Sequence, residues 1–318
     1  MRSAAFVSAF AFVAAAVFGQ DDPVAAGRAA FRRASSEADK IAALDVIAKP
    51  TGAAEVAAVI AALGEGLRDD SVAVRVHAIG LVAAASDRGA ALAELVAGCQ
   101  ALASRWERIS VEDRPELGTK KLPDLFEDPE GFRKAMDEMK VNLEKLKTWT
   151  DRLAEENRVV ESYLRALAGF DDDRMIDGYG SLLAVTGVDD HGRDIARALF
   201  ARETRLALIT AIEPLRVQEK RVGELEDRVN KIRRTKPGAP PKSWRGRREA
   251  WADQEAKRIA KRVDGARKSM SKAEGAGRSY ADLLRTLAAE HGLPEPPKDE
   301  QFSSWRAWVQ RAAKALSK

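Results

Sequence analysis

Between residues 194 and 290 apolar side chains recur on alternating three- and four-residue steps, enter a proline-rich turn and come back out. On the first arm the stripe is Leu208, Ala211, Leu215, Val222, Leu225, Val229 and Ile232, with Gln218 as a polar intruder. On the second it is Ala252, Ala256, Ile259, Val263, Ala266, Met270, Ala273, Gly277, Tyr280, Leu284 and Leu287. A period near 3.5 is the spacing at which two α-helices bury a shared seam, so the pattern predicts an antiparallel helical hairpin. Folding the arms about the turn from Lys236 to Lys242 puts residue 194 near residue 285. Pro214, which lacks a backbone N–H, predicts a bend within the first arm. Trp244 and Trp251 fall one position beside the seam, where partial exposure is expected. The same seams permit pairing between two chains as a homodimer.

Upstream, Phe132, Met136, Met139, Leu143, Leu146, Thr150, Leu153, Asn157, Val160, Leu164 and Leu167 keep this spacing from Pro129 onward. They predict one helix of about 60 Å, a length that needs a partner along it, and the hairpin arms are expected to supply one as a three-helix coiled coil. Gly169-Phe170 closes that helix, and a short one runs through Val185 to Thr186-Gly187. Residues 109–130, with Pro115, Pro123 and Pro129, read as a polar linker. The bundle is thus expected over 131–292. A proline-rich connector with Pro294, Pro296 and Pro297 follows in 293–318, then an amphipathic helix bearing Phe302, Trp305, Val309, Ala312 and Leu316 on one face. That helix either docks on the body or, with its arginines, lies on a membrane surface.

Residues 22–108 read as short helices with small-residue interiors. A shift of 35 lays Ile41, Ala43, Leu44, Val46, Ile47 and Ala48 onto Val76, Ala78, Ile79, Leu81, Val82 and Ala83. It also lays Ala57, Ile60 and Leu67 onto Leu92, Leu95 and Leu102, as in stacked repeats. The stretch from Asp69 through Ser71, Val74 and Arg75 to Ala78 resembles the helix start of HEAT repeats, and the resemblance extends over residues 36–107. It implies a binding scaffold and carries no fixed functional residues. No alternating β-branched rows occur, so the fold class is all-α, a HEAT-like domain followed by the long coiled-coil bundle.

Composition changes this picture in three places. The first twenty residues, one arginine and then an apolar run ending near Gly19, have the form of a secretory signal peptide. The expected location is therefore periplasmic or secreted, with an uncleaved N-terminal membrane anchor as the alternative. Cys99 is the lone cysteine, which excludes an intramolecular disulfide and reads as a small buried residue. The net charge of +4 is uneven. Residues 21–130 carry 13 basic and 19 acidic side chains and 131–318 carry 39 and 30, so an acidic partner belongs to the second half.

Common catalytic signatures are missing: no glycine-rich phosphate loop, no paired histidines at metal spacing, no serine in a nucleophile elbow. His77, His191 and His291 are scattered. Asp171, Asp172 and Asp173 with Asp189 and Asp190 would suit a hard cation if they met, but each group sits where a helix N-terminus takes negative charge. The chain is expected to be non-catalytic, with no cofactor, an adaptor for an unidentified protein partner. The alternative is a binding module for an anionic polymer, lipid head group or acidic protein, with nucleic acid disfavoured if the chain is exported. Its site would be the hairpin tip, where Lys231, Arg233, Arg234, Lys236, Lys242, Arg245, Arg247 and Arg248 occur without an intervening acid, beside Trp244.

Overall fold

The computed structural model describes residues 22–49, 56–113, 115, 128–236, 238, 240 and 247–317. Among them lie eleven α-helices and no strand. The chain forms two compact units, one ending at Val185 and the other beginning at Thr186. The signal-like residues 1–20, and most of the connector before the long helix, lie outside the described residues.

The first unit holds α1 (Pro23–Arg33), α2 (Glu37–Ile47), α3 (Val56–Gly66), α4 (Val72–Ala83), α5 (Arg88–Glu107), α6 (Pro129–Leu167) and α7 (Met175–Thr186), whose last residue begins the second unit. Residues 35 apart do the same work. Ser36 and Ser71 cap α2 and α4 through their hydroxyls, and Ala43, Leu44, Ile47 and Ile60 are buried like Ala78, Ile79, Val82 and Leu95. The starts of α2 and α4 are joined: Ser71 Oγ donates to Glu37 at 2.6 Å and Lys40 meets Asp69 at 2.7 Å. The small Ala78 lets α3 come close to α4, since a Cβ on Gly66 would stand only 2.9 Å from its methyl carbon. A π-helical turn, Arg108–Glu112, extends α5.

The long helix α6 runs unbroken for 39 residues, with Pro129 in its first turn and Asp128 capping Gly131 N. It belongs to the first unit and packs on α4 and α5, so the expected grouping of α6 with the hairpin arms in one bundle over 131–292 does not hold. The cause is local. Its buried residues, Glu156, Val159, Val160, Tyr163, Ala166 and Leu167, form a face displaced from the 3.5-residue seam, wide enough to cap a globular layer.

The second unit holds α8 (Asp190–Phe200), α9 (Arg205–Arg233), α10 (Arg248–Glu290) and α11 (Phe302–Leu316). The first arm is two helices. The chain turns between them at Glu203, with φ of +50°, and Thr204 caps α9 by accepting from Ala207 N. Helix α9 continues through Pro214. Tyr280 of α10 donates its hydroxyl to the Ala211 carbonyl at 2.9 Å, beside the stretch where proline removes a backbone donor.

The seam closes as the spacing predicts, with Val229, Ile232, Val263 and Ala266 buried together and Ile259 packed against them. Its register differs. Under the expected pairing Ala211 would face residue 268, but it faces Tyr280, and Gln218 donates to the Ala273 carbonyl at 2.6 Å. The arms are therefore displaced by about twelve residues, roughly three helical turns. Ile232 sits beside Ile259, so the first ten or so residues of α10 extend some 15 Å beyond the end of α9.

Helix α11 docks on α9 and buries Trp305, Trp308, Val309 and Ala312. Its apolar face is therefore occupied within the chain, and a membrane surface is not needed to cover it. The connector before it is tied down by Arg285, whose guanidinium donates to the carbonyls of Pro297, Lys298 and Asp299 at 2.9–3.0 Å.

Candidate functional site

The basic hairpin end is built from two helix termini of opposite polarity. Lys231 and Arg233 lie in the last turn of α9, where the helix dipole favours cations. Arg247 and Arg248 stand at the start of α10, where it disfavours them, and Arg247 provides no side-chain cap. Lys231, Arg233, Arg234, Lys236, Arg247 and Arg248 are all exposed, whereas Lys242, Trp244 and Arg245 lie outside the described residues. The displaced register adds what the sequence run missed. Lys257, Lys261 and Arg262 of α10 come level with the last turns of α9 as further exposed cations, while Arg258 among them is paired with Glu255 at 2.6 Å. Arg228 and Arg262 line one groove of about 250 Å³, with Leu225, Ile232 and Ala266 along its apolar part. No sequence signal short of the correct register joins these two arginines.

Trp251 does not present an exposed aromatic face. It is buried at 6 % exposure, its indole N–H donates to the Gly238 carbonyl at 2.8 Å, and Arg258 stands 5.8 Å from its ring. The seam at this end runs through Trp251 and Glu255 to Ile259, leaving Ala252 and Ala256 exposed. A bulky indole gains more from burial than a methyl group, so it sets the rotation of the helix. Trp251 thus fastens the connector to α10.

A second charged site lies in the first unit. Arg75, from the repeat-like helix start, is 2 % exposed and grips Glu156 of α6 with two hydrogen bonds of 2.7 Å. Arg105 adds a 3.0 Å bond to Glu156 and a 2.9 Å bond to Asp70, which holds the Asp70 carboxyl below its ordinary range. Beside this network a cleft of about 380 Å³ is lined by Glu37, Asp70, Arg105, Arg152, Glu155 and Arg158, among others. Its charges are of both signs, and Arg152 is bonded to Asp113 at 2.9 Å. Residues 75 and 156 are 81 apart in sequence, and neither their spacing nor their type announces the pairing.

The third feature is an open face. In the first half of α6, Met139 and Leu143 are 41 % and 54 % exposed, on the stripe that also carries the half-buried Phe132, Met136 and Leu146. Trp149 lies beside it and donates its N–H to the Ile109 carbonyl at 2.7 Å.

Several of the remaining candidates have structural partners. Asp172 and Asp189 accept from the backbone N–H groups of Arg174 and Gly192 at 2.9 Å, as helix and turn starts require. Among the described residues no group of three or more His, Cys, Asp or Glu is placed to hold a metal ion. His77 pairs with Asp45 at 2.6 Å and His291 with Glu203 at 3.2 Å. Cys99 is fully buried, and that burial pushes its thiol pKa well up, away from reactivity. No described helix is long and apolar enough to cross a membrane. Comparison with known proteins adds no relative: no family model, no curated protein and no solved structure matches this chain.

Proposed function

We propose that this chain is an exported, non-catalytic scaffold or adaptor that holds protein partners on its helical surfaces. The observation that carries the reading is the apolar stripe of α6 around Met139 and Leu143, which stands exposed, whereas from Glu156 onward one face of the same helix is buried. An apolar row of this kind on an otherwise charged helix marks an interaction surface. The HEAT-like helix pairs fit the same role. A photo-crosslinking residue placed at Leu143 in the native cell tests it: discrete adducts with another protein are expected, and none from Thr148 on the far side of the helix. Adducts equally frequent from both positions, or none at all, would end the reading.

A second reading rests on a separate observation. Cations stand exposed at the hairpin end, including two arginines at a helix N-terminus where they cost about 0.3–1 kcal/mol each. A surface that keeps them there suits an anionic polymer, head group or acidic protein. Retention on a heparin column is expected to fall when Arg233, Arg234, Arg245, Arg247 and Arg248 are replaced by glutamine. Unchanged retention would remove this reading and leave the first intact.

A further inference from the structure

Within the open stripe of α6, heptad positions are fixed by the spacing: Phe132, Met139 and Leu146 fall at d, and Met136 and Leu143 at a. The flanks differ. The residues just after each d are Arg133, Lys140 and Lys147, a wholly basic row, whereas those just before each a are Ala135, Asn142 and Trp149, a neutral one. Lys140 makes only a long, exposed contact with Asp137 at 3.7 Å, and among the described residues Arg133 and Lys147 have no ion pair.

This asymmetry selects an occupant. A second copy docked antiparallel would set the basic row against itself. Docked parallel, it would set the basic row against the neutral one and gain nothing. Only a helix that brings acidic residues to that flank satisfies both the stripe and its edge. Two methionines at the centre of the stripe suit a surface that adapts to its partner's side chains.

We infer that the stripe from Phe132 to Leu146 docks an amphipathic helix of a partner protein that carries a row of acidic side chains along one flank. The inference rests on the scaffold reading and specifies the chemistry of its partner.

The test uses the full chain and a labelled synthetic four-heptad peptide with leucine at a and d and glutamate on both flanks, followed by fluorescence anisotropy. A matching peptide with lysine flanks is the comparison. The glutamate peptide is expected to bind, and the lysine peptide to bind at least about tenfold more weakly. Leu143→Glu, in a part of the helix that supports no core, is expected to abolish binding while the circular dichroism stays unchanged. Glutamine at Arg133, Lys140 and Lys147 together is expected to weaken binding about tenfold and flatten its salt dependence. Glutamine at Arg233 and Arg234 should leave it unaltered.

Equal binding of the two peptides, no binding of the glutamate peptide, or binding that survives Leu143→Glu would overturn the inference. A dimer that Leu143→Glu disperses in sedimentation would assign the face to a second copy. Binding seen only after residues 114–127 are replaced by a glycine-serine linker would assign it to the chain's own connector. Crosslinks from Leu143 in cells alongside a failed peptide would sink the acidic helix and keep the scaffold, whereas absent crosslinks would sink the scaffold itself.

Discussion

Helices α6 and α10 carry apolar seams of the same spacing, yet one is closed over most of its length and the other is open for half of it. From Ile259 to Leu287 the seam of α10 is covered, with Tyr280 and Leu284 at 0 % exposure. In α6 burial begins at Glu156, and the residues before it stand half-buried or exposed. Periodicity thus records that a stripe exists and leaves open what lies on it. The covering element is decided by tertiary contacts: α9 for one helix, α4 and α5 for half of the other.

The largest break in this comparison is expected at the residue where α6 passes from open to closed. Glu156→Ala leaves Arg75 buried with no counter-charge, and removal of one partner from such a pair costs about 3–5 kcal/mol. The expected outcome is a sharp fall in the urea midpoint of the first unit. Replacing both residues with apolar ones, Arg75→Met with Glu156→Leu, should recover most of the loss, because the desolvation cost disappears with the charges. If the double variant is as unstable as the single, Arg75 and Glu156 matter through packing and not through pairing.

Next in size is the contrast between the seams themselves. Leu284→Ala should cost about 2–5 kcal/mol and Leu143→Ala no more than about 0.5 kcal/mol, although the two leucines hold equivalent places in the same repeat. Chemical denaturation of each variant decides it. A comparable loss at Leu143 would mean that its stripe is already covered in the folded chain.

Much of this division was legible in the residues and some of it was not. Ile232, Val263 and Ala266 fell on the predicted seam because a 3.5-residue period is a local property. The helix starts at Ser71 and Asp189 are visible for the same reason, each needing only a polar side chain before an apolar run. Register was out of reach: a seam made of alanines and leucines fits itself at several offsets, and only Gln218 on Ala273 and Tyr280 on Ala211 fix one of them. The turn at Glu203 carries no glycine or proline to mark it, since a glutamate takes the positive φ there. The basic end was read from its contiguous run, while Arg228 and Arg262 needed the register, and Trp251 was misplaced because the seam rotates to bury it.

A smaller effect separates the surface of the first unit from its core. Glu65 accepts from Arg32 at 2.7 Å and also bonds Arg28, and these guanidinium groups, Arg32 foremost, hold its pKa below the ordinary 4.5. A depressed carboxyl contributes stability above its unfolded value and loses it as pH falls through the folded one. Glu65→Gln should therefore cost roughly 1 kcal/mol near neutrality, limited by the exposure of both arginines. The gap from the parent should narrow as pH drops below about 4.5. A gap that stays constant from pH 7 to pH 3 would show that the contribution is not electrostatic.

The finest distinction lies within α10, between two glycines a single residue apart from adjacency. A Cβ at Gly275 would meet nothing within 4 Å, whereas one at Gly277 would stand 3.1 Å from Cγ of Gln218. Alanine removes conformational freedom from the unfolded chain and suits a helix interior, so Gly275→Ala is expected to stabilise the second unit by ~0.5–1 kcal/mol. At Gly277 the same gain is opposed, since Gln218 must shift and its 2.6 Å bond to Ala273 shifts with it. That amide is 7 % exposed, and a weakened bond there is not replaced by water. Gly277→Ala should thus come out neutral or destabilising, and combining it with Gln218→Ala should restore the gain relative to Gln218→Ala alone. If the two glycine variants instead raise the denaturation midpoint equally, the close approach of α9 to α10 at Gln218, and with it the register of the hairpin, is wrong.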